Sequence, residues 1–255
     1  MNKLTFKALA ALTIACTVIS GCKKEDDNSI SMDDVSKGIE MIKGADGREY
    51  EAVDLGLPSG MLWATCNLNA SKPQQNGDFF AWGETSSKQF YDWSNYSLSL
   101  EGDKFSFTKY VQNEKTTGFG YTTDYKTSLD SIDDAAAVIM GGKWRIPTKD
   151  NVTELIFRTT QKLCTLKGVE GFLFTSTVKG FEDRSIFIPL SGKMDMRVNN
   201  FEGKYGFYWI RELYGSNSDQ GKVFWLESKD GQNNIVAKEF IDRYIGLPIR
   251  PVTKR

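Results

Sequence analysis

Residues 53–66 read VDLGLPSGMLWATC, and this stretch carries the clearest sequence evidence about how the folded domain begins. Gly and Pro favour turn conformations, so residues 56–60 predict a turn. Residues 61–66 are apolar enough to form a buried strand. Upstream, Asp46-Gly47 lies between two short strand-like segments and predicts a hairpin turn. The domain is therefore expected to open with a β-hairpin followed by a buried strand.

Two helices are predicted near the middle of the chain. The first has apolar residues at positions i, i+3, i+4, i+7 and i+8, a spacing typical of an amphipathic helix, and it ends at Gly141-Gly142. These apolar residues are Ile132, Ala135, Ala136, Ile139 and Met140. The second helix is expected to begin after Pro147, with Thr148 as its N-cap.

The remaining chain combines one long irregular segment with a series of strands. Residues 73–129 show no clean periodicity but are rich in aromatics, which in a compact domain indicates either a functional segment or a structured loop. From residue 171 onward, strand-like segments alternate with turns. These segments are 172–177, 185–190, 205–213, 223–227 and 247–252. The sequence thus predicts an α+β fold with two helices and long irregular loops.

The first residues have the pattern of a secretory signal peptide. Lys3 and Lys7 precede an apolar run over residues 8–19, which is shorter than the roughly 20 residues that span a bilayer. The run ends in Ile-Ser-Gly-Cys22, which resembles the lipobox of bacterial lipoproteins and implies that Cys22 becomes the lipid anchor. The alternatives are a plain signal peptide cut at a small residue, or a buried apolar helix. We therefore predict a signal peptide over residues 1–21.

A polar segment separates Cys22 from the folded domain. Residues 22–37 contain few large apolar side chains and are predicted to be a flexible tether, followed by a single domain over 38–255. The acidic cluster at 25–27 resembles the export signal of Bacteroidota surface lipoproteins. This resemblance implies an outer-membrane lipoprotein displayed at the cell surface, with the membrane lipid as its partner. The alternative is a solvated spacer whose charges have no role.

Composition narrows the chemistry that is available to the protein. Lys plus Arg (32) nearly balances Asp plus Glu (33), so the chain lacks the basic surface expected of a nucleic-acid-binding protein. The chain has no His, which excludes His-based catalysis and His-ligated zinc. No motif indicates a cofactor, and we predict none.

Two cysteines remain once the signal peptide and the lipid anchor are set aside. Cys66 and Cys164 would lie in an oxidising compartment, where distant thiols commonly form a disulfide. Such a bond would stabilise the fold by up to about 4.7 kcal/mol through the entropy of the closed loop. The alternative is two separate buried thiols.

Six separated motifs resemble a known family. They are VDLGLPSG running into LWATCN (53–67), GDFFAWGET (77–85), DDAA (133–136), GGKWRIPT (141–148), GFYW (206–209) and IRPV (249–252). Together these motifs resemble the Fibrobacter succinogenes major paralogous domain, and the resemblance spans residues 46–252. The resemblance implies a C-type-lectin-like fold with paired terminal strands, two helices and an antiparallel sheet. The chain departs from the family at Asn151-Val152, which puts a helix cap in doubt, and at residues 210–212, which suggests a loop surface of its own.

Metal binding has one candidate set. C-type lectins that bind sugar through calcium use Glu-Pro-Asn or Gln-Pro-Asp followed by Trp-Asn-Asp, and none of these strings occurs here. Asp130, Asp133 and Asp134 could supply some of the six to eight oxygen ligands that calcium prefers. The alternative is that they cap a helix and match its dipole.

Two surfaces are candidates for ligand binding. Aromatic faces pack on sugar C–H groups while carboxylates accept hydroxyl protons. The first surface combines both and comprises Trp82, Glu84, Tyr91, Asp92, Trp93 and Tyr96. The second is polar and comprises residues 195–200, with Arg197 and Asn199, plus Arg211, Glu212, Asn217 and Asp219. The alternatives are that the first set forms the core of a long loop and the second a solvated rim.

These observations favour non-catalytic binding, with glycan or a surface protein as partner. The rival hypothesis is a structural or tip subunit of a surface appendage. A third is a glycan-processing enzyme that uses paired carboxylates, whose separation the sequence does not reveal.

Overall fold

The computed structural model describes residues 28–215, 218–229 and 231–255, which form a mostly β-sheet structure with two short helices. This confirms the α+β class. The strands are β1 (Ser29–Ile30), β2 (Ile39–Lys43), β3 (Glu49–Val53), β4 (Leu62–Ala64), β5 (Thr159–Leu166), β6 (Val169–Ser176), β7 (Ser185–Pro189), β8 (Lys193–Asp195), β9 (Val198–Asn200), β10 (Tyr205–Leu213), β11 (Gln220–Lys229), β12 (Gln232–Asp242) and β13 (Val252–Thr253). The α-helices are α1 (Ala135–Ile139) and α2 (Lys149–Phe157). No helix in the described ranges is both long and apolar enough to cross a membrane.

The first sheet joins the two ends of the domain. Its strand order is β13-β4-β3-β2, and all of its pairings are antiparallel. β2 and β3 form the predicted hairpin, with Gly47 in the turn at a φ of 83° that favours glycine. All three residues of β4 are buried, as predicted for this segment. The closing strand β13 pairs with β4, so the N-terminal and C-terminal parts of the domain stabilise each other.

Two further sheets and a small β-pair complete the structure. One sheet has the order β1-β5-β6-β7, another has the order β10-β11-β12, and β8 pairs with β9. The predicted strands at 172–177, 185–190, 205–213 and 223–227 are present. Strands β5 and β12 were not predicted, and within the predicted segment 247–252 only Val252 lies in a strand. Residues 245–251 are buried instead, and Leu247 forms a single bridge with Phe80.

Both helices, of 5 and 9 residues, are shorter than the average globular helix of about 11 residues. Residues 131–133 form a 3₁₀ turn before α1, so Ile132, predicted to face the core, is 71% exposed. In α2, the Asn151 backbone N–H donates to Thr148 Oγ1, and the Thr148 backbone N–H donates to Asn151 Oδ1 (3.2 and 3.1 Å). Asn151 therefore completes the capping box that its departure from the family pattern had put in doubt.

The predicted flexible tether is wrong for its C-terminal half. Residues 22–27 lie outside the described part, but β1 pairs in parallel with β5, and residues 32–35 form a 3₁₀ turn. Val35 is buried in a small cluster with Cys164, Leu166 and Phe187. Few apolar residues suffice here because the existing sheet supplies most of the apolar surface against which they pack.

Candidate functional site

The predicted aromatic surface of the long loop is largely interior. Trp82 and Tyr96 are fully buried, and their rings surround the guanidinium of buried Arg243 at 4.9 and 5.3 Å. The rings of Phe107 and Tyr110 complete this arrangement at 4.6 and 5.9 Å. The aromatic faces therefore bind the protein's own cation, and the prediction that Trp82 and Tyr96 contact a ligand is wrong.

The rest of that predicted set serves mainly to order the loop. The Tyr91 hydroxyl donates to the Phe79 carbonyl, and the ring is buried. Glu84 accepts a hydrogen bond from the Ser97 backbone N–H (2.7 Å) and pairs with Lys88 (2.8 Å). The polar groups of Tyr91 and Glu84 therefore have hydrogen-bond partners within the protein. This is expected if the predicted set forms the core of the long loop.

Asp92 and Trp93 are closer to the surface than the rest of the set. Asp92 caps a 3₁₀ turn over Trp93–Asn95 by accepting from the Ser94 backbone N–H (2.7 Å). The half-buried Trp93 ring lies 4.9 Å from the ring of Tyr244. These two residues thus remain close to accessible surface.

The second predicted surface is divided between two places. Arg211 donates to the Leu129 carbonyl through Nε (3.0 Å) and Nη2 (2.7 Å). Glu212 accepts from the Lys149 backbone N–H (3.0 Å) at the start of α2, and burial raises the pKa of its carboxyl. Both side chains link β10 to the part of the domain that contains the helices. They therefore do not lie beside Arg197 and Asn199.

Arg197 and Asn199 lie at the β8–β9 hairpin. The exposed Arg197 guanidinium lies 5.7 Å from the centre of the Phe90 ring. Asn199 donates through Nδ2 to the Ser191 carbonyl (3.2 Å) and to Glu202 (3.0 Å). Asn199 therefore forms hydrogen bonds within the hairpin, whereas Arg197 stays accessible.

Asn217 of the same predicted surface and the predicted lipid anchor Cys22 lie outside the described residues.

The three candidate calcium ligands have separate protein partners. Asp133 accepts from Lys109 Nζ (2.8 Å) and from the Tyr110 hydroxyl (2.6 Å). Asp134 is buried, and it accepts from the backbone N–H groups of Ala137 and Ile146. Asp130 pairs with Lys126 at 2.5 Å. These are the contacts of a helix cap and of ion-pair partners. Within the described ranges, no three His, Cys, Asp or Glu side chains are grouped so that they could hold a metal ion.

The predicted disulfide is not formed in the structure. Cys66 and Cys164 are both free thiols. Cys164 is buried with Val35 and Phe187, whereas Cys66 follows β4 and is half-buried beside Thr65. Burial raises the pKa of both thiols, that of Cys164 to about 11. The two cysteines are therefore separate thiols in different environments, which was the alternative to the disulfide.

A cleft where β8 meets the end of β12 combines the groups expected of a ligand site. It has a volume of about 250 Å³, and we call it the Asp242 cleft. It is lined by Lys193, Asp195, Gln220, Phe240, Ile241, Asp242, Tyr244 and Ile245. Opposite Asp242 in the β11–β12 register, Gln220 donates through Nε2 to the Asp242 carboxylate (3.4 Å). Reciprocal backbone hydrogen bonds between Met194 and Gly246 hold β8 beside it.

Electrostatics in the Asp242 cleft are dominated by carboxylates. Burial raises the pKa of Asp242, and the nearby charge of Asp219 raises it further. Burial, together with Asp195 and Asp242, raises the pKa of Tyr244 to about 12, so its hydroxyl stays protonated and able to donate. Neither Asp195 nor Asp242 forms a salt bridge with a described side chain. Gln220 donates to Asp242 and the Tyr244 hydroxyl lies beside Asp195, and each carboxylate retains further lone pairs that can accept hydrogen bonds.

Aromatic rings form one wall of the cleft. Phe240 is 40% exposed, and its ring stacks on that of Tyr214 at 4.2 Å with an interplanar angle of 31°. Tyr244 rests on Trp93. The cleft thus presents an apolar ring face beside acceptors (Asp195 and Asp242) and donors (Lys193 and Gln220). Such a combination suits a ligand with an apolar face and hydroxyl groups at its edges.

The structure brings the accessible parts of both predicted surfaces together around this cleft. Backbone hydrogen bonds join Tyr91 to Met196 in both directions (2.8 Å each), which places Asp92 and Trp93 beside the β8–β9 hairpin. Asp195, part of the second predicted surface, lines the cleft itself. Sequence reasoning missed Lys193, Gln220, Phe240, Asp242 and Tyr244. These residues come from three separate segments, and only strand pairing reveals that they meet.

A larger cavity of about 430 Å³ lies elsewhere, beside β3 and β4. Its lining includes Glu51, Thr65, Cys66 and Asn67, and Tyr50 is the one aromatic among the described residues that line it. Thr65 donates to Glu51 (3.1 Å), and the raised pKa keeps the Cys66 thiol protonated. The cavity therefore offers neither an activated nucleophile nor an aromatic wall comparable to that of the Asp242 cleft.

Comparisons with protein-family models, with curated proteins and with solved structures found no significant match for this chain.

Proposed function

We propose that this chain is a surface lipoprotein whose domain binds glycan, without catalysis, through the Asp242 cleft. The observation that carries the proposal is the exposed Phe240 ring beside the Asp242 and Asp195 carboxylates. A sugar ring stacks its C–H face on an aromatic ring, and its hydroxyls donate to carboxylates and accept from amide and ammonium groups. The cleft supplies each of these partners.

The proposed fold is C-type-lectin-like. Support comes from the pairing of β13 with β4 near the two ends of the domain, from the two helices, and from the antiparallel sheets. The segment from 65 to 130 contributes long irregular loops, as such folds do. The resemblance of the six sequence motifs points in the same direction.

Affinity electrophoresis tests the binding proposal. The full chain is run in native gels that contain starch, xylan, galactomannan or mucin, and we expect retardation by at least one of them. Phe240→Ala should abolish the retardation because it removes the stacking surface. Phe157→Ala is the matched control, since Phe157 is 79% exposed at the end of α2, away from the cleft. If no glycan retards the wild-type chain, the proposal fails.

The enzymatic alternative is tested on the same material. A glycosidase of the paired-carboxylate type would shorten the glycan that retards it, with Asp195 and Asp242 as the candidate pair. We expect the size distribution of the retained glycan to remain unchanged after prolonged incubation. Release of reducing ends that Asp242→Asn abolishes would establish catalysis instead.

The proposed location is the outer membrane, with lipid attached at Cys22. We expect radiolabelled palmitate to be incorporated into the wild-type chain and not into a Cys22→Ala variant. Protease treatment of intact cells should then degrade the protein if it is displayed at the surface. Incorporation that survives the Cys22→Ala change would contradict lipidation at this residue.

A structural or tip subunit of a surface appendage is the second candidate, and β1 favours it. Within the described residues, β1 pairs with β5 through Ser29 and Ile30, and strand exchange between subunits would displace such a short pairing most readily. Polymers detected in unboiled samples, and lost when residues 28–31 are deleted, would support this candidate. A monomer that glycan retards supports the first.

A further inference from the structure

Large apolar side chains are exposed on two turns of the long loop. Phe119 is 92% exposed and Phe105 is 59% exposed, and Leu100 and Tyr121 are exposed beside them in sequence. We call these four residues the aromatic ridge. Several large apolar side chains exposed on neighbouring turns of a folded protein commonly mark an interaction site.

The two turns of the ridge form one surface. In the first turn, the Leu100 backbone N–H donates to the Ser106 carbonyl (2.8 Å). In the second, the Gly118 backbone N–H donates to the Phe107 carbonyl (2.9 Å), which ties residues 118–121 to the end of the first turn. A Cβ on Gly118 would lie only 3.2 Å from the Leu100 Cβ, so the two turns are in direct contact.

The ridge lies beside the Asp242 cleft. The first turn packs on the Trp93 segment, because a Cβ on Gly102 would lie 2.9 Å from the Cα of Ser94. Trp93 in turn contacts Tyr244, which lines the cleft. The charge of Lys104, in the same turn, acts on Asp242 and lowers its pKa against the larger effect of burial. These contacts and the effect of the Lys104 charge place the first turn of the ridge next to Trp93 and Tyr244, at the edge of the cleft.

We propose that the aromatic ridge binds the continuation of a glycan chain whose first sugars occupy the Asp242 cleft. The ligand class is thus an extended polysaccharide rather than a terminal monosaccharide, and this inference rests on the proposed function.

The composition of the ridge favours such an occupant over a membrane or a protein partner. Small and polar residues flank its rings: Gly118 precedes Phe119, Gly120 lies between Phe119 and Tyr121, and the Thr122-Thr123 pair follows Tyr121. Acidic Glu101 and Asp103 offset the basic Lys104, so the turn carries no cationic surface for anionic lipid. Separate ring faces on a polar background match successive sugar rings.

Glycan ligands of different length test the proposal. Titration calorimetry compares the disaccharide and the hexasaccharide of the glycan that retards the full chain: maltose and maltohexaose, xylobiose and xylohexaose, or mannobiose and mannohexaose. If mucin alone retards it, its released short and long O-glycans are compared. We expect the longer ligand to bind about tenfold more tightly, and Phe119→Ala to remove about fivefold of that gain while leaving the short ligand unaffected.

The controls separate the two proposals. Phe157→Ala should leave both affinities unchanged, because Phe157 is exposed elsewhere on the molecule. Equal affinity for the short and long ligands would contradict the proposal for the ridge. So would a Phe119→Ala chain that binds the long ligand as tightly as the wild type does. Neither result would contradict glycan binding in the Asp242 cleft. Absence of glycan binding by the wild-type chain overturns both.

Discussion

Asp242 illustrates how one residue can be unfavourable for stability yet suited to binding. Its carboxylate is half-buried, and the amide of Gln220 is its one hydrogen-bond donor among the described side chains. Burial raises its pKa, and Asp219 adds to the effect. A binding ligand would supply the donors that this carboxylate lacks, as sugar hydroxyls do.

Substitution of Asp242 should separate binding from stability. The pKa of Asp242 is higher in the folded protein than in the unfolded chain, so the folded protein binds the Asp242 proton more tightly. The free energy of unfolding therefore falls as pH rises from the unfolded pKa of this group to its folded pKa. We therefore expect Asp242→Asn to unfold in urea at an equal or higher midpoint at neutral pH while it loses glycan retardation. Asp183→Asn, an exposed control, should change neither. A destabilised Asp242→Asn chain would contradict this account.

Glycan binding should also depend on pH through Asp242. Only the ionised carboxylate accepts hydrogen bonds with both oxygens, so binding is lost as pH falls through the pKa of this group. We expect the pH at which half of the binding is lost to lie above 3.8, the ordinary pKa of aspartate, because burial raises the pKa of Asp242. Retardation measured across a pH series checks this. Any residual binding by Asp242→Asn should depend less on pH, because only Asp195 of the two carboxylates that line the cleft then remains.

Arg243 is the residue on which the interior of the long loop depends. Its guanidinium donates to the Tyr96 hydroxyl (2.8 Å), the Ser218 carbonyl (2.6 Å) and the Lys109 carbonyl (3.2 Å) while four aromatic rings surround it. Lysine cannot reproduce this planar set of donors. We expect Arg243→Lys to lower the free energy of unfolding by about 3 kcal/mol. Exposed Arg197→Lys should have no measurable effect in the same urea titration.

At the scale of elements, the N-terminal segment shows how a short sequence gains structure from its surroundings. β1 and the 3₁₀ turn over Met32–Val35 have little intrinsic stability, since neither is long enough to form alone. They are held by parallel pairing with β5 and by burial of Val35 against Cys164. The strength of this docking therefore sets how well Cys164 is protected from solvent.

Val35→Ala tests this docking. The change removes buried methyl groups and should cost about 2 kcal/mol of stability. We expect Cys164 to react faster with a thiol reagent in the variant, as quantified by peptide mass spectrometry, while Cys66 reacts at its original rate. Val138→Ala is a matched control because Val138 is exposed on α1. Unchanged reactivity of Cys164 would show that the segment does not cover it.

At the scale of the whole molecule, the sheets and their side-chain packing hold the domain together without a covalent cross-link between Cys66 and Cys164. β13 closes the first sheet, and the loop from 65 to 130 packs on Arg243 and on the buried rings around it. Covalent closure is not required because a chain of this length buries enough apolar surface to fold.

Reduction should therefore leave the fold unaffected. We expect the urea midpoint of the full chain to be the same with and without dithiothreitol, because Cys66 and Cys164 are free thiols. A midpoint that falls on reduction, together with a Cys66–Cys164 peptide in non-reduced mass spectra, would restore the disulfide prediction.

Local sequence was sufficient for elements whose signals are local. The hairpin around Asp46-Gly47, the buried strand β4 and the start of α2 at Thr148 follow from turn residues, apolar runs and caps acting over a few positions. The α+β class follows from the same signals. Strand β12 was missed because its long run of mixed polar and apolar residues pairs with β11 and lacks clean alternation of its own.

Aromatic content by itself determined only that the loop from 73 to 129 would bury or present many rings. Tertiary structure decided which: Trp82 and Tyr96 are buried around the guanidinium of Arg243, a residue far away in sequence. In the same way, Lys193, Gln220 and Asp242 became one cleft only through strand pairing. Composition and short motifs determine local conformation because their interactions span a few residues, whereas a site assembled from distant segments depends on contacts that exist only after folding.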